Sequence, residues 1–437
     1  MSGSASALLD RDPAKTSKSR PADARERLLQ AYRSVRQETE RRAAPLSPED
    51  QQIQSMPDAS PIKWHRAHTT WFFEQFLLRP NRPGYAVFDE DFAFLFNSYY
   101  VAAGARHERP KRGLITRPSA EHVGAYRRHV DAAVETLIAE TDDLAAVAPI
   151  VEIGLNHEQQ HQELMLTDIL HAFAQNPLAP AYDSDWTPPR APSHPPARGE
   201  GRRATRAAVG SEHYVAVPAG IHRVGHADDS FHFDNEGPAH EVLLQPVRLA
   251  KTLVSNRAWL QFMADGGYAT PALWLSDGWA VVQNEGWQAP GHWREVDGEW
   301  RQMTLGGLRP VEPDAPVCHV SYYEADAFAR WAGKHLPTEA EWEVAGRAGL
   351  LDDAFGIVWQ WTRSPYSPYP GYRAAEGALG EYNGKFMINQ MVLRGSSLAT
   401  PEGHSRATYR NFFYPPHRWQ FTGLRLASYD EPITRVP

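Results

Sequence analysis

The sequence predicts an α+β protein whose helices and strands are segregated along the chain. Stretches with apolar residues at helical spacing fill the first part, up to about residue 175. From Tyr214 onward, short apolar runs alternate with turns rich in Gly, Pro and Asp, which is typical of small sheets joined by long loops. Because a run of helices precedes a run of strands, two domains of different class are expected.

The composition restricts the class of function before any motif is considered. The chain has 437 residues, which is longer than a domain with a single hydrophobic core usually is. Its net charge of -8 argues against nucleic-acid partners. The single cysteine, Cys318, cannot form an internal disulfide, which favours a reducing compartment. No apolar run reaches the roughly 18 residues of a membrane span. We therefore expect a cytoplasmic protein that binds neither nucleic acid nor membrane, with homo-oligomers left open.

The N-terminal half is predicted to form a four-helix bundle. Apolar residues recur at helical spacing in four stretches, at about residues 22–42, 62–78, 119–141 and 144–174. One long connection separates the second stretch from the third. Long amphipathic helices joined in this way are typical of bundles, in which inward-facing side chains are common metal ligands.

Composition also predicts the domain boundaries. Residues 1–21 lack the layout of a signal peptide and are expected to form a disordered tail, which is followed by the bundle at 22–182. Residues 183–213 are rich in Pro, Gly and Arg and lack periodicity, which favours a linker or a surface strap. The second domain is expected to span 214–437.

The fourth helix contains His-Glu-x-x-His, with histidines at His157 and His161. Residues four apart share a helix face, and this face is otherwise largely apolar. A buried imidazole must satisfy two ring nitrogens, which a metal, an acidic partner, a hydrogen-bonded pair or partial solvation could each achieve. The fourth helix alone leaves these alternatives open.

A further histidine on the second helix strengthens the metal hypothesis. His68 shares the inner face of that helix with Trp64 and Trp71, whereas His65 is expected nearer the flank. His68, His157 and His161 would supply three imidazoles from two helices of the bundle. Such a set suits iron(II) with substrate and oxygen in the open positions, although zinc, nickel and copper also accept nitrogen ligands.

The same motif is used by zinc peptidases, with Glu158 as the general base. The extended form of that peptidase pattern requires glycine at position 164 and histidine at position 167. This chain has Leu164 and Thr167 at those positions. The peptidase hypothesis is therefore disfavoured.

Two groups of motifs resemble a known family. The WHRAH segment and the later His-x-x-x-His-x-Glu helix resemble the DinB-like metal-binding bundle. The segments LPTEAEWE, VWQWT and VLRGSS resemble the formylglycine-generating-enzyme or sulfatase-modifying domain, a variant of the C-type lectin fold. In this order the two domains are similar to the ergothioneine-biosynthesis sulfoxide synthases (EgtB, hercynine oxygenases).

This resemblance implies an enzyme that uses iron(II), Fe(2+), and O2. It would join a thiol to C2 of the imidazole of hercynine, Nα,Nα,Nα-trimethylhistidine, and oxidise the sulfur. The family's metal ligands fall on His68, His157 and His161, and Gln160 falls on a position that helps to hold hercynine.

A departure from part of the family predicts the sulfur donor. Members that use γ-glutamylcysteine have a tyrosine just before the VLRG segment and Asn-Trp-Asp in a later loop. This chain has Met391 and the loop Asn411-Phe412-Phe413 there, whereas FNSYY in the N-terminal half offers Tyr99 and Tyr100. The resemblance therefore implies the subgroup that uses free cysteine, with γ-glutamylcysteine as the alternative donor and one of the two tyrosines as the proton donor.

The remaining substrate contacts follow from chemistry. A trimethylammonium group donates no hydrogen bond and is met by aromatic faces and amide oxygens, which Phe412, Phe413, Asn411 and Gln160 can supply. The carboxylate of the cosubstrate needs cations. The basic loop after FNSYY offers Arg109 and then Arg106, while Arg410 is expected to be structural.

Three other functions are compatible with parts of the sequence. A DinB-type thiol transferase with zinc or nickel would explain the bundle but not the second domain. A lectin-type ligand-binding module would leave the inward histidines unexplained. An ovothiol synthase, which couples cysteine to C5 of histidine, is expected to carry a C-terminal methyltransferase, for which the chain has no room before Pro437.

Overall fold

The computed structural model describes residues 21–100, 104–187, 213–374 and 383–429. The predicted disordered tail, apart from its last residue, and most of the predicted strap lie outside the described residues. Within these ranges the chain has a helical N-terminal part and a second part of small sheets, short helices and loops. The predicted α+β class is therefore confirmed.

The four predicted long helices are present in the bundle. They are α1 (Pro21–Ala43), α2 (Ile62–Phe73), α5 (Ala120–Glu140) and α6 (Leu144–Gln175). The connection between α2 and α5 contains a π-helical turn (Glu74–Leu78), α3 (Arg79–Asn81) and α4 (Phe92–Leu95). Helices α1 and α2 each pack against α5 and α6.

Two local features set the start and the packing of α6. The Asp143 carboxylate accepts a hydrogen bond from the backbone N–H of Ala146 at 3.0 Å and so caps the first turn. Gly154 lies against the end of α2, where an added Cβ would be 2.5 Å from Phe73 Cε1. The absence of a side chain at Gly154 allows the close approach of α6 to α2 that brings the following histidines next to those of α2.

The second domain is built from short elements. Its helices are α7 (Asn256–Ala264), α8 (Ser276–Glu285), α9 (Tyr322–Trp331) and α10 (Glu339–Arg347). Its strands are β1 (Tyr214–Val217), β2 (Gly220–Val224), β3 (His240–Leu244), β4 (Val247–Ala250), β5 (Trp293–Val296), β6 (Glu299–Thr304), β7 (Gly307–Pro310), β8 (Trp359–Pro365), β9 (Met391–Gly395), β10 (Asn411–Phe413), β11 (Thr422–Gly423) and β12 (Ala427–Tyr429).

These strands form small sheets with the orders β1-β4-β12, β10-β9-β8-β11, β2-β3 and β5-β6-β7. The second of these sheets brings the VWQWT, VLRGSS and NFF segments together, because β9 pairs antiparallel with both β8 and β10. Helices α9 and α10 both start with capping boxes, at Ser321 with Glu324 and at Thr338 with Glu341.

Helix α6 also carries the contact between the two domains. The Glu163 carboxylate accepts hydrogen bonds from Trp359 Nε1 at 2.6 Å, Ser397 Oγ at 2.7 Å and Thr400 Oγ1 at 2.7 Å. Arg42 of α1 adds a hydrogen bond to the carbonyl oxygen of Ala399 at 2.7 Å. The face of the bundle that bears the histidines is thereby held against the second domain.

No helix within the four described ranges combines the length and the apolar character that a membrane crossing requires.

Candidate active site

Three histidines converge between α2 and α6. One ring nitrogen of each of His68, His157 and His161 lies within 4.8 Å of the corresponding nitrogens of the other two. The ring centroids are 5.0, 4.8 and 4.6 Å apart for the pairs 68–157, 68–161 and 157–161. The convergence of His68 with the two histidines of α6 agrees with the sequence prediction.

The chemistry of these rings fits a metal ion. Burial lowers the pKa of all three histidines, for His157 to about 3, so that the rings are neutral at pH 7 and can donate a lone pair. His68 Nδ1 donates a hydrogen bond to the carbonyl oxygen of Phe96 at 2.6 Å, whereas its buried Nε2 has no hydrogen-bond partner among the described residues. A buried, unsatisfied nitrogen directed at two further imidazoles is the arrangement that a transition-metal ion satisfies.

Packing fixes the first of these rings. The His68 imidazole lies between the side chains of Trp64 and Trp71, with ring centroids 4.6 and 5.5 Å away and interplanar angles of 13° and 19°. Phe72 contacts His157, with centroids 5.0 Å apart. The apolar residues that the helical pattern placed on the inner face of α2 thus hold the rings in place.

His65 departs from the prediction, because it is buried and not at the flank of the bundle. Its side chain is 2% exposed, and its Nδ1 lies 2.8 Å from Nδ1 of His161. Its Nε2 lies 3.1 Å from the Asp168 carboxylate. The sequence spacing identifies the face of α2 on which His65 lies, but not that α6 covers that face.

Glu158, the base of the disfavoured peptidase hypothesis, points away from the three histidines into the bundle. Its fully buried carboxylate accepts hydrogen bonds from Arg36 at 2.8 Å, Thr39 at 2.6 Å and Arg127 at 3.0 Å. Burial alone would raise the pKa of Glu158, but the charges of Arg36 and Arg127 outweigh burial and lower it. A carboxylate engaged in this way stabilises the bundle and does not activate water at the histidines.

A cavity of about 750 Å³ opens beside the histidines, between the bundle and the second domain. Most of the predicted site residues line it: Tyr99, Arg106, Arg109, His157, Gln160, His161, Asn411, Phe412 and Phe413. His68 lies behind this wall and is fully buried. The cavity is therefore bounded by a candidate metal centre on one side and by residues of β10 on the other.

The two predicted tyrosines differ in position. Tyr99 lines the cavity, and its backbone oxygen accepts a hydrogen bond from Lys385 at 2.6 Å. Tyr100 is fully buried behind it, stacked on Tyr99 with ring centroids 4.6 Å apart and packed against Phe76 at 5.1 Å. The structure thus separates the pair into one cavity residue and one core residue.

The aromatic wall comes from β10 and its neighbours. Phe412 stacks on Tyr366 with ring centroids 4.1 Å apart and an interplanar angle of 9°, and it lies 6.1 Å from the ring of Phe386. The Asn411 side-chain oxygen accepts a hydrogen bond from the backbone N–H of Phe412 at 2.9 Å. Stacking holds the face of Phe412 in a fixed orientation at the cavity.

Several cavity residues were not predicted from the sequence. Tyr409 accepts a hydrogen bond from Gln160 Nε2 at 2.7 Å and thereby links the two domains within the cavity. Arg112 lies over the Trp64 ring at 3.4 Å and donates a hydrogen bond to Ser60 Oγ at 2.9 Å. Trp419 also lines the cavity. Each comes from a segment rich in aromatic or basic residues, and its sequence spacing does not distinguish the cavity residue from its neighbours.

Arg410 lines the cavity, but its guanidinium is held within the second domain. It donates hydrogen bonds to both carboxylate oxygens of Glu339, at 2.8 and 3.0 Å, and to the carbonyl oxygens of Asn235 and Ser367, both at 2.9 Å. These contacts are those expected of a residue with a structural role.

Comparison with known proteins matches both halves of the chain. Residues 31–165 match the DinB superfamily, and residues 201–355 match the sulfatase-modifying factor enzyme 1-like domain. The formylglycine-generating enzyme of Thermomonospora curvata is 39% identical over 156 residues, which cover 31% of this chain and 49% of that enzyme.

Other relatives align with most of the chain. The hercynine oxygenase of Mycolicibacterium smegmatis is 31% identical over 425 residues, covering 85% of this chain and 91% of that enzyme. The hercynine oxygenase of Mycobacterium tuberculosis is 30% identical over 416 residues, with the same coverage of 85% and 91%. Both halves of the chain, in this order, are thus present in the matched enzymes.

Proposed function

The chain belongs to the hercynine oxygenase family, and on this premise we propose that it is an iron(II)- and O2-dependent sulfoxide synthase that uses L-cysteine. The reaction joins the cysteine sulfur to C2 of the hercynine imidazole and places one oxygen atom on the sulfur. The C2–H and S–H bonds are lost, and the second oxygen atom leaves as water. O2 accepts all four electrons, so the balance requires no other reductant or oxidant.

The observation that carries this proposal is the convergence of His68, His157 and His161 beside a cavity shared by both domains. These three residues would hold the iron, and half-buried His161 faces the cavity. When bound there, iron(II) supplies electron transfer to O2 and a positive centre that lowers the pKa of the cosubstrate thiol. As neutral ligands, the three imidazoles would not offset the charge of the ion.

The second domain provides a binding surface for the trimethylammonium group of hercynine. Phe412 presents an aromatic face fixed by Tyr366, and Phe413 lies beside it on the same strand. An ammonium without N–H groups is stabilised by such faces through cation–π attraction. Gln160 precedes His161 in the sequence and donates a hydrogen bond to Tyr409, which supports a role in holding hercynine near the metal ligands.

Tyr99 is the proton donor in this proposal, because it lines the cavity and Tyr100 does not. A phenol has a proton available at pH 7 and can deliver it from its hydroxyl oxygen to reduced oxygen. Proton delivery at this point favours formation of the C–S bond over simple oxidation of the thiol.

Three arginines follow one another along the cavity wall and provide cations for the cosubstrate carboxylate. Arg106 donates a hydrogen bond to the carbonyl oxygen of Ser98 at 3.1 Å, and Arg109 donates one to the carbonyl oxygen of Asp58. Arg112 is 5% exposed, and its Nε has no hydrogen-bond partner among the described residues. A carboxylate bound between Arg109 and Arg112 would satisfy that buried donor.

The test is aerobic incubation of iron-loaded protein with hercynine and either cysteine or γ-glutamylcysteine, with the products identified by mass. We expect S-(hercyn-2-yl)-L-cysteine S-oxide from cysteine, and no product without O2 or after removal of the metal. Preferential formation of the γ-glutamylcysteine adduct would overturn the choice of donor. Turnover of a thiol without O2 would instead indicate a DinB-type thiol transferase.

A further inference from the structure

A chain of hydrogen bonds between buried side chains adjoins His161 at the wall of the cavity, and the proposed function does not use it. The chain runs from His161 to His65 and from His65 to Asp168. We propose that His65 and Asp168 are positioning residues that fix the tautomer of His161 and so keep its Nε2 available to the metal. The inference rests on the proposed metal site and adds two residues that determine how well the site binds.

The direction of the hydrogen bonds can be deduced from Asp168. Its Oδ2 accepts the backbone N–H of Ser60 at 2.8 Å and lies 3.1 Å from His65 Nε2. An ionised carboxylate only accepts hydrogen bonds, so His65 Nε2 must carry the hydrogen. The contact with Ser60 anchors the carboxylate to the loop before α2 and keeps it directed at His65.

The tautomer of His161 then follows from that of His65. His65 is 2% exposed and adjoins another imidazole, which makes an additional positive charge unfavourable and keeps the ring neutral. A neutral ring protonated at Nε2 has only an acceptor at Nδ1. His161 Nδ1, at 2.8 Å, must therefore be the donor, which leaves the lone pair of His161 on Nε2.

The tautomer of His68 is fixed in the same way, but by a single hydrogen bond. Its Nδ1 donates to the carbonyl oxygen of Phe96 at 2.6 Å, and its Nε2 is left without a hydrogen-bond partner among the described residues. A backbone carbonyl can only accept, so the tautomer of His68 is fixed directly. His161 has a second histidine in place of the carbonyl, and Asp168 sets the orientation of that histidine. Partners that orient metal-binding histidines in this way are a general feature of metal sites.

The test compares His65→Leu with His65→Gln. Leucine removes the acceptor for His161, whereas glutamine can accept from His161 through its side-chain oxygen and donate to Asp168 through its amide nitrogen. The matched control is His171→Leu, which removes another histidine of α6 whose Nδ1 is hydrogen-bonded to Ser55 Oγ at 2.7 Å. His171 does not contact the three metal-site histidines.

Two quantities are measured for each variant: the dissociation constant of iron(II) or cobalt(II), by competition with a coloured chelator, and the melting temperature of the metal-free protein. We expect His65→Leu to weaken metal binding by about 10–100-fold, with His65→Gln and His171→Leu close to the parent. The visible absorption spectrum of bound cobalt(II) should change only in His65→Leu.

The possible results separate this inference from the proposed function. If the parent protein binds no metal, both are wrong. If the parent binds metal and His65→Leu binds it equally well, only the role of His65 is wrong. If leucine and glutamine weaken binding equally, His65 acts through packing and not through its hydrogen bonds, which also overturns the inference. A lower melting temperature with unchanged metal affinity would assign His65 a purely structural role.

Discussion

The two domains contribute to the cavity in different ways, and Glu158 and Glu163 on α6 show the difference. Glu158 points into the bundle and is held by two arginines and a threonine, so charge pairs fix the helix that carries the histidines. Glu163, little more than a turn later, points to the second domain and is held by Trp359, Ser397 and Thr400, which are all uncharged. Charge pairs stabilise the metal side, whereas hydrogen bonds without an opposite charge join it to the substrate side.

This difference indicates that the two domains contribute different parts of the site. The bundle places buried, rigid imidazoles on two regular helices. The second domain adds a short strand and loops whose side chains face the same cavity. Changes on the bundle side should therefore affect metal binding and folding, and changes on the other side should affect the affinity for substrate.

The largest effect is expected from substitution of a metal ligand. His157→Ala should lose stoichiometric metal and all O2-dependent product, because two imidazoles cannot replace a set of three. Metal content by elemental analysis and product by mass spectrometry check this prediction. Retention of metal and activity in His157→Ala would show that the centre lies elsewhere and would remove the contrast between the domains.

The next largest effect is expected on the stability of the fold, from substitution of Glu158. Glu158→Gln removes one of two carboxylate partners from each arginine, because Arg36 also pairs with Asp131 and Arg127 also pairs with Glu40. The loss of these two buried, charge-assisted contacts should lower the free energy of unfolding by about 3 kcal/mol. The difference should narrow as the pH falls below 4.5, because the lowered pKa of Glu158 stabilises the fold only while the carboxylate is ionised. Denaturant unfolding at several pH values measures both effects. If folded Glu158→Gln lost all turnover, Glu158 would have to act as a general base, as it does in the peptidase hypothesis.

Glu163→Gln should show the opposite dependence on pH. Burial raises the pKa of Glu163, although the hydrogen bonds from Ser397, Thr400 and Trp359 oppose the shift. A carboxyl group with a raised pKa destabilises the fold as the pH rises through its unfolded value of 4.5, so the stability of the variant relative to the parent should increase over that range. The same unfolding series serves as the measurement, and parallel pH profiles for the two variants would contradict the comparison.

A smaller effect is expected where the two domains meet at Tyr99. Tyr99→Phe should lower the ratio of sulfoxide product to oxidised cysteine by about 100-fold, because general acid catalysis commonly contributes at least that much. Tyr100→Phe is the control, since Tyr100 is packed behind the cavity wall. The ratio of sulfoxide product to oxidised cysteine, measured by mass spectrometry for both variants, tests this prediction. An effect of the same size in both variants would mean that packing, and not the Tyr99 hydroxyl, controls the outcome.

The smallest effect should come from the aromatic wall of the second domain. Phe412→Leu removes one aromatic face worth about 0.5–2 kcal/mol, or roughly a 2- to 30-fold increase in KM for hercynine. The metal affinity should not change. Phe355→Leu, in the same domain but outside the cavity, is the control. A loss of metal in Phe412→Leu would show that the two sides of the cavity are not independent.

The sequence by itself determined the regular part of this protein. Helical periodicity located the four long helices of the bundle, and the four-residue spacing of His157 and His161 placed both on one face of α6. The resemblance to a family added Tyr99, Gln160 and Asn411–Phe413, which all line the cavity. The helices and the shared face of the two histidines could be predicted because they depend on residues close together in the sequence. The roles of the cavity residues rest on whole motifs and stay predictions.

Only the tertiary structure decided how distant segments meet. The burial of His65 against His161, the separation of Tyr99 from Tyr100, and the positions of Arg112 and Tyr409 in the cavity all depend on the packing of one element on another. Periodicity gives the direction of a side chain around its own helix axis, but the neighbour it meets depends on how closely the helices approach. Here the distance between α2 and α6 is set by contacts such as that of Gly154 with Phe73, two residues that are far apart in the sequence.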